Sequence, residues 1–330
     1  MEQLNLGIIG AGWIADKMAE TVSGLPQVRK YAIAARDEAR AKDFANHWHF
    51  DKAYGSYEAL VADQSVDLVY IATPHSHHFR HASLALNAGK AVLCEKAFTA
   101  NAREAEALIA LAHEKHLLLT EAIWTRYMPL SKQIKEVMDS GVIGEPQQLS
   151  ATLSYSMGWK DRIMKAELCG GALLDLGVYC INFARMYFGT DIVNVTSSCV
   201  KGGADGMDMH DSITLAYRNG RVANLQSSAL CLDSRNGMIC GDKGFLLVDN
   251  INCPTSFKVF NKDYQVTAEY RCPSTQITGY EYQVLACREA LLNGQIECAD
   301  MPHAETIAIM RMMDGIRKSW GVVYPYDDEK

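Results

Sequence analysis

Short uninterrupted apolar runs alternate with helical periodicities along the first 125 or so residues. The runs at 6–9, 31–35, 68–71, 91–94 and 117–119 predict strands. Between them, 14–22 reads as a helix, and 36–48 as an amphipathic one with Ala39, Phe44 and Ala45 on one side. A helix at 78–87 is stopped by Gly89, and one at 101–115 starts with Asn101 and Glu104 at capping-box spacing. Strands without polar alternation are buried on both faces. The pattern therefore predicts an α/β domain, a doubly wound parallel sheet with helices on either side.

The rhythm then changes. Residues 148–155 alternate like a half-exposed strand, and 171–188 read as a long helix ended by Gly189. Strands at 212–217 and 222–227 flank Asn219-Gly220, a strong hairpin signal. Strands at 238–240 and 245–248 flank the turn from Gly241 to Gly244, and helices follow at 282–292 and 303–319. This half predicts an α+β domain with a large, mostly antiparallel sheet. Pro129, Gly141, Gly144 and Pro146 cluster in 122–147, so the expected division is 1–125 and 126–330, with the last helix able to pack back on the first domain.

The chain has 330 residues, 48% hydrophobic and 22% charged, which suffices for two ordinary cores. Its 32 Lys+Arg against 39 Asp+Glu, net −7, argue against nucleic acid or an acidic membrane surface as partner. No uncharged apolar run approaches the ~20 residues of a membrane span, and no basic leader with a cleavage site opens the chain. The ten cysteines form no C-x-x-C pair, and most sit in apolar stretches and read as buried thiols, so a cytoplasmic, reducing location is expected. His75, His77, His78 and His81 cluster, with His77 and His81 at i, i+4. They lack both a third ligand and the Glu of H-E-x-x-H, so no metal is expected. Met310, Met312 and Met313 read as packing, and His210-Asp211 as no more than the start of a strand.

The sharpest chemical signal is Gly10-x-Gly12-x-x-Ala15, directly after the first strand and opening the first helix. The first glycine permits the tight turn, and the second lets backbone approach a pyrophosphate. The small third residue lets helix and strand pack closely. The second strand ends at Ala34-Ala35-Arg36-Asp37. A guanidinium at the strand tip suits a 2′-phosphate, so Arg36 predicts NADP, with NAD possible. The alternative is that Arg36 is a solvated helix-start residue and Asp37 accepts from the ribose of NAD. Trp124 and Arg126 follow the last strand of the parallel sheet, where ligands gather at strand carboxyl ends, and are expected to line a substrate cleft ahead of Trp159.

Taken with Ala72-Thr73-Pro74 and His78, Glu95-Lys96, and Gly170-Gly171-Ala172-Leu173-Leu174-Asp175-Leu176-Gly177-Val178-Tyr179, this pattern resembles the glucose–fructose oxidoreductase and inositol dehydrogenase (Gfo/Idh/MocA) family over nearly the whole chain. Glu121-Ala122-Ile123-Trp124-Thr125-Arg126-Tyr127 and the Tyr179 form of the helix motif look most like its branch of dimeric dihydrodiol dehydrogenases and NADP-dependent D-xylose dehydrogenases. The resemblance implies a Rossmann domain followed by a domain for substrate binding and dimerisation. It implies a sugar or cyclic polyol substrate and a homodimer formed through the C-terminal sheet. It places Gly10, Gly12, Trp13, Ile14, Arg36, Thr73, Pro74, His78, Glu95 and Lys96 at the cofactor. It makes Lys96 and Tyr179 the catalytic pair, with Asp175 beside the substrate, where Trp124, Arg126 and Tyr179 also stand. Ala97 replaces the proline usual after the family's Glu-Lys, where the peptide bond is cis. The cis form costs a non-proline residue about 3 kcal/mol, so the pose of Lys96 is left open.

Oxidising an alcohol requires a hydride acceptor and a base for the hydroxyl proton. A phenol, with a reference pKa near ~10, becomes a better base beside an ammonium, which favours the phenolate. Tyr179 and Lys96 can play those parts, and Tyr179 would donate the proton in reverse. Asp175 lies four residues before Tyr179 and shares its helix face, so its carboxylate can accept from substrate hydroxyls. Two other readings stay open: a sensor or scaffold that binds NADP(H) without chemistry, to which Ala97 lends weight, and a redox-neutral enzyme that retains its cofactor.

Overall fold

The computed structural model describes residues 3–327. The chain begins with β1 (Leu4–Ile9), α1 (Trp13–Ser23), β2 (Val28–Ala34), α2 (Glu38–Trp48), β3 (Lys52–Tyr54), α3 (Tyr57–Ala62), β4 (Leu68–Ile71), α4 (His78–Asn87), β5 (Ala91–Glu95), α5 (Ala102–Lys115) and β6 (Leu119–Ala122). The six strands form one parallel sheet in the order β3-β2-β1-β4-β5-β6, the doubly wound arrangement the apolar runs predict. Its central strands are apolar throughout because helices cover both faces: every residue of β4 and β5 is buried. The pair β3 and α3 has no counterpart in the sequence pattern. At three residues, none of them buried, β3 is too short and too polar to show as an apolar run.

The next elements are α6 (Pro129–Asp139), β7 (Pro146–Ser154), α7 (Asp161–Met164), a π-helical turn at Leu173–Gly177 and α8 (Val178–Phe188). Seven strands follow: β8 (Ile192–Gly202), β9 (Met207–Tyr217), β10 (Val222–Ser228), β11 (Gly237–Gly241), β12 (Gly244–Val248), β13 (Ser256–Asn261) and β14 (Val266–Arg271). With β7 they make an eight-stranded sheet ordered β14-β13-β12-β11-β7-β10-β9-β8, antiparallel except where β7 meets β10. The stretch Ala166–Phe188 is long and apolar enough to cross a membrane, but 83% of its apolar window is buried inside the protein, which makes it the core helix of this sheet. Two helices close the chain, α9 (Glu281–Leu292) and α10 (His303–Trp320).

The chain does not divide once, at 125/126. One unit gathers residues up to Ile123 together with Ile277–Met310, and the other holds Trp124–Gln276 and the segment from Arg311. Specific contacts tie the returning segment to the parallel sheet. The hydroxyls of Thr21 and Thr278 lie 2.6 Å apart. A ring nitrogen of His303 lies 2.7 Å from the Leu119 carbonyl, and Thr306 donates to the Glu121 carboxylate at 3.1 Å. A last helix able to pack back on the first domain is expected from the sequence, but its point of entry at Ile277 and the inclusion of α9 depend on contacts far apart in sequence.

Candidate active site

The glycine turn sits where the strand order reverses between β1 and β4. Gly10 has φ +101°, and a Cβ there would lie 2.7 Å from the Ala72 carbonyl oxygen, so the close approach of the two strand ends requires glycine. Gly12 differs: a Cβ there would meet nothing within 4 Å. It opens α1 with no side-chain cap, so no side chain at the cap competes for the first backbone N–H groups of that helix, as a pyrophosphate cradle demands. The chain's own residues therefore fit a dinucleotide at this turn. Trp13 is 69% exposed at the helix start and Ile14 is half-buried.

At the tip of β2, Arg36 is exposed. Asp37 is the N-cap of α2, its carboxylate accepting from the Ala39 N–H at 2.9 Å. Arg40, which the sequence reading passes over, donates from Nε and Nη2 to the Ala11 carbonyl at 3.1 and 2.5 Å, bracing the glycine turn from α2. Its spacing from Arg36, one helical turn, is the signal that could have flagged it.

The loops after β4 and β5 are joined by a histidine. His78 is fully buried, its Nε2 lying 2.7 Å from the Thr73 carbonyl and its Nδ1 2.9 Å from the Ala97 carbonyl. Both ring nitrogens face protein, so His78 clasps the loop after β4 to the loop that bears Lys96. Burial pushes its pKa down to about 4, against the pull of the carbonyls, and the Lys96 ammonium acts in the same direction as burial. Thr73 Oγ1 lies 3.0 Å from Nδ1 of His81, whose pKa burial also pushes down to about 4. Pro74 is exposed. Glu95 is buried and accepts from the Tyr70 hydroxyl, and its other oxygen accepts from the Lys96 backbone N–H at 3.2 Å. The Lys96–Ala97 peptide bond is cis. Among the described residues no group of three or more His, Cys, Asp or Glu is arranged to hold a metal.

In the second unit, the motif from Gly170 to Tyr179 forms a π-helical turn that runs into α8. Such turns recur at functional sites, where the wider turn re-aims side chains. Trp124 Nε1–H donates to the Tyr179 hydroxyl oxygen at 2.9 Å, in a buried setting. Asp175 is buried, and Arg162 reaches it from α7, Nη1 to Oδ1 at 2.6 Å. Arg126 donates from Nε to Asn182 Oδ1 at 2.5 Å, and Asn182 donates to the Val178 carbonyl at 2.8 Å, so Arg126 is tied to α8 one turn beyond Tyr179. Trp124, Arg126, Asp175 and Tyr179 are thus held around one helix. Arg162 completes that set and has no sequence motif of its own. Trp159 is 76% exposed.

Residues 4–123 match the oxidoreductase family with an NAD-binding Rossmann fold, and residues 131–247 match the GFO/IDH/MocA C-terminal domain. The chain is 32% identical to trans-1,2-dihydrobenzene-1,2-diol dehydrogenase of Danio rerio, covering 99% of both chains. It is 33% identical to the Homo sapiens enzyme of the same name, over 98% of this chain and 99% of that one. Among solved structures it resembles KijD10, a 3-ketoreductase from Actinomadura kijaniata in complex with NADP and TDP-benzene. That likeness has TM-score 0.87 and 26% identity, over 96% of this chain and 97% of that one. The same fold is found in aldose-aldose oxidoreductase from Caulobacter crescentus, at TM-score 0.86 and 20% identity over 96% and 97% of the two chains. The chain belongs to the Gfo/Idh/MocA oxidoreductase family, and it is an NAD(P)-dependent oxidoreductase.

Proposed function

We propose that the protein is an NADP-dependent dehydrogenase that interconverts a CH–OH group and a carbonyl on a sugar or cyclic diol. Tyr179 is the acid/base, Lys96 assists it, and Asp175 binds substrate hydroxyls. The observation that carries this is the Trp124–Tyr179 hydrogen bond beside the Arg162–Asp175 ion pair on one helix. The names of the relatives support the substrate class: a cyclic diol in the trans-1,2-dihydrobenzene-1,2-diol dehydrogenases, and a keto group in the 3-ketoreductase, solved with NADP and TDP-benzene.

The bound nicotinamide supplies the hydride acceptor or donor. The chain's residues do the rest. In oxidation the Tyr179 oxygen takes the proton of the substrate hydroxyl as the C–H electron pair leaves, and in reduction it returns that proton to the carbonyl oxygen. The Trp124 N–H stabilises the phenolate form by hydrogen bonding to it. Lys96, on the loop fixed by His78, supplies positive charge and a donor for hydroxyls. Asp175, oriented by Arg162, accepts from a neighbouring substrate hydroxyl and sets its orientation.

Arg36 is the 2′-phosphate ligand in this reading. Asp37 is spoken for as the α2 cap, which supports NADP over NAD. The protein acts as a homodimer through the open face of the eight-stranded sheet, where Met238, Cys240, Phe245, Leu247 and Phe260 are half-buried and Phe245 stacks on Phe260 at 4.5 Å. Its ten cysteines are all free thiols, which suits a reducing compartment such as the cytoplasm.

The test is turnover over a panel of aldoses and cyclic diols with NADP, and of the matching ketones with NADPH, in wild type and Tyr179→Phe. Net NADPH formation lost in the variant is expected. Tight NADPH binding with no turnover on any compound would make the protein a sensor instead, and conversion without net cofactor change would make it redox-neutral. Light scattering of the purified protein checks the dimer.

A further inference from the structure

Beneath the start of the active-site helix lies a pair of carboxyl groups that the proposed reaction does not use. Asp208 and Asp211 both stand on β9, and both are fully buried. Three residues apart on a regular strand they would point to opposite faces. The pairing of β9 with β8 runs Val200 to His210 and then Lys201 to Asp208, so Met209 is an extra residue, a bulge that returns Asp208 to the face of Asp211. The reading of His210-Asp211 as a mere strand start is therefore corrected: Asp211 lies inside β9, with its carboxyl in the core.

Each carboxyl has one oxygen engaged. Asp208 Oδ2 accepts from the Leu173 backbone N–H at 2.6 Å, and Asp211 Oδ2 accepts from the Ser227 hydroxyl at 2.9 Å. The remaining oxygen of each, Oδ1, is buried with no donor, and the bulge sets the two side chains on the same face of β9. Two buried carboxyls on one strand face, each with an oxygen that lacks a donor, are repulsive and unsatisfied; one proton shared between them satisfies both. Burial and the neighbouring carboxyl both push Asp211 toward its protonated form. The other groups that bear on the pair are the Arg317 guanidinium, which opposes protonation, the Tyr324 phenol, and the thiols of Cys199 and Cys180.

The other end of the arrangement reaches the active-site helix. Leu173 opens the π-helical turn that carries Asp175 and leads to Tyr179, and the residue before it offers no side-chain cap. Asp208 supplies from β9 the acceptor that the helix start lacks. The chain is shaped around it: Gly171 has φ +111°, and a Cβ there would lie 2.2 Å from Asp208 Oδ1. Tyr324 OH fixes the same segment by donating to the Gly170 carbonyl at 2.5 Å.

We propose that Asp208 and Asp211 share one proton and together anchor the first turn of the helix bearing Asp175 and Tyr179, which makes them positioning residues for the reaction. The importance of that helix rests on the dehydrogenase reading; the shared proton and the anchor do not.

The experiment compares wild type with Asp211→Asn, Asp208→Asn and Asp211→Ala. In Asp211→Asn an amide N–H replaces the shared proton, so kcat and Tm at neutral pH stay within about twofold and a few degrees of wild type. In Asp211→Ala the donor is gone: kcat falls about tenfold while the Kd for NADPH is unchanged, and the Leu173 amide exchanges faster with deuterium. Infrared spectra of wild type at neutral pH contain a buried carboxylic-acid carbonyl band that disappears in both Asn variants. A group protonated in the folded state above its ordinary range near ~3.9 loses stability as pH rises, so the Tm of Asp211→Asn falls less than that of wild type between about pH 5 and 8. Asp211→Asn proving as damaging as Asp211→Ala, or the absence of the infrared band in wild type, overturns the shared proton. Unchanged Leu173 exchange and kcat in Asp211→Ala overturn the anchor. Should Asp211→Ala not fold, the Asn variants and the wild-type spectrum still decide. Exchange, infrared and Tm need no turnover, so a wild type inactive on every substrate would sink the dehydrogenase reading separately.

Discussion

The indole N–H of Trp124 donates to the phenol oxygen of Tyr179 across 2.9 Å, and neither side chain is open to bulk water. A donor fixed on that oxygen favours the phenolate over the phenol, by about 1 kcal/mol for one hydrogen bond. Trp124→Phe keeps the aromatic bulk and removes the donor. The acid limb of kcat against pH, measured for alcohol oxidation, is expected to move up by about one pH unit, with kcat at neutral pH about tenfold lower. Tyr179→Phe lowers kcat by at least about a hundredfold at every pH. An unmoved limb in Trp124→Phe would show that the hydrogen bond does not act on the reacting group.

The two arginines at the start of α2 predict opposite specificity effects. Arg36 is exposed at the strand tip and touches only the distinguishing phosphate in the proposed complex. Arg36→Ala should raise KM for NADP at least about tenfold and leave KM for NAD within about twofold. Arg40 instead braces the Ala11 carbonyl. Arg40→Ala loosens the glycine turn that either cofactor would use in the proposed complex and should raise both KM values. Initial rates with each cofactor, at saturating substrate, separate the two.

Much of this was legible in the residues, and the exceptions have physical causes. The parallel sheet shows in the sequence because strands buried on both faces carry no polar residues, and β4 is predicted at the bounds the structure has, 68–71. The glycine turn is legible at Gly10 because its positive φ and the nearby Ala72 carbonyl leave room for glycine alone. By contrast β8 has no buried residue and no clean alternation, so it gives no signal although it is eleven residues long. Helix α6 hides behind Pro129, which reads as a linker but occupies the first helical turn, where proline is tolerated. Arg162, Asp208 and Asp211 belong to no motif, since their contacts with Asp175, Leu173 and Ser227 come from the fold, and a bulge at Met209 cancels the alternation that would otherwise have separated the two aspartates.

His78 should make the protein sensitive to acid. Its folded pKa is pushed down to about 4, whereas a solvated imidazole titrates near ~6.5. Between those values the unfolded chain holds a proton that the folded chain lacks, so the part of the stability that His78 contributes falls as pH drops from about 6.5 toward 4 and does not change above. His81 is displaced the same way and adds to the slope. In His78→Gln the Tm, measured from pH 4 to 8, should fall less steeply with acid. The clasp between the Thr73 and Ala97 carbonyls is also lost, so kcat should drop at neutral pH through a less fixed Lys96. An equal slope in variant and wild type would place the acid sensitivity elsewhere.

Gly10 and Gly12 separate what the fold needs from what the cofactor needs. An alanine Cβ at position 10 would sit 2.7 Å from the Ala72 carbonyl, in a backbone with φ +101°. Gly10→Ala should therefore lower Tm even without cofactor, by the several degrees that a destabilisation of about 2 kcal/mol produces in a domain of this size. Gly12 has φ −107° and open space where its Cβ would go, so Gly12→Ala should leave the Tm of the cofactor-free protein within about 2 °C of wild type. That same methyl would stand where the pyrophosphate must approach the helix start, and Kd for NADPH, read by its fluorescence, should rise at least about tenfold. Unweakened NADPH binding in Gly12→Ala would mean that the dinucleotide does not lie against this turn, whatever its glycines resemble.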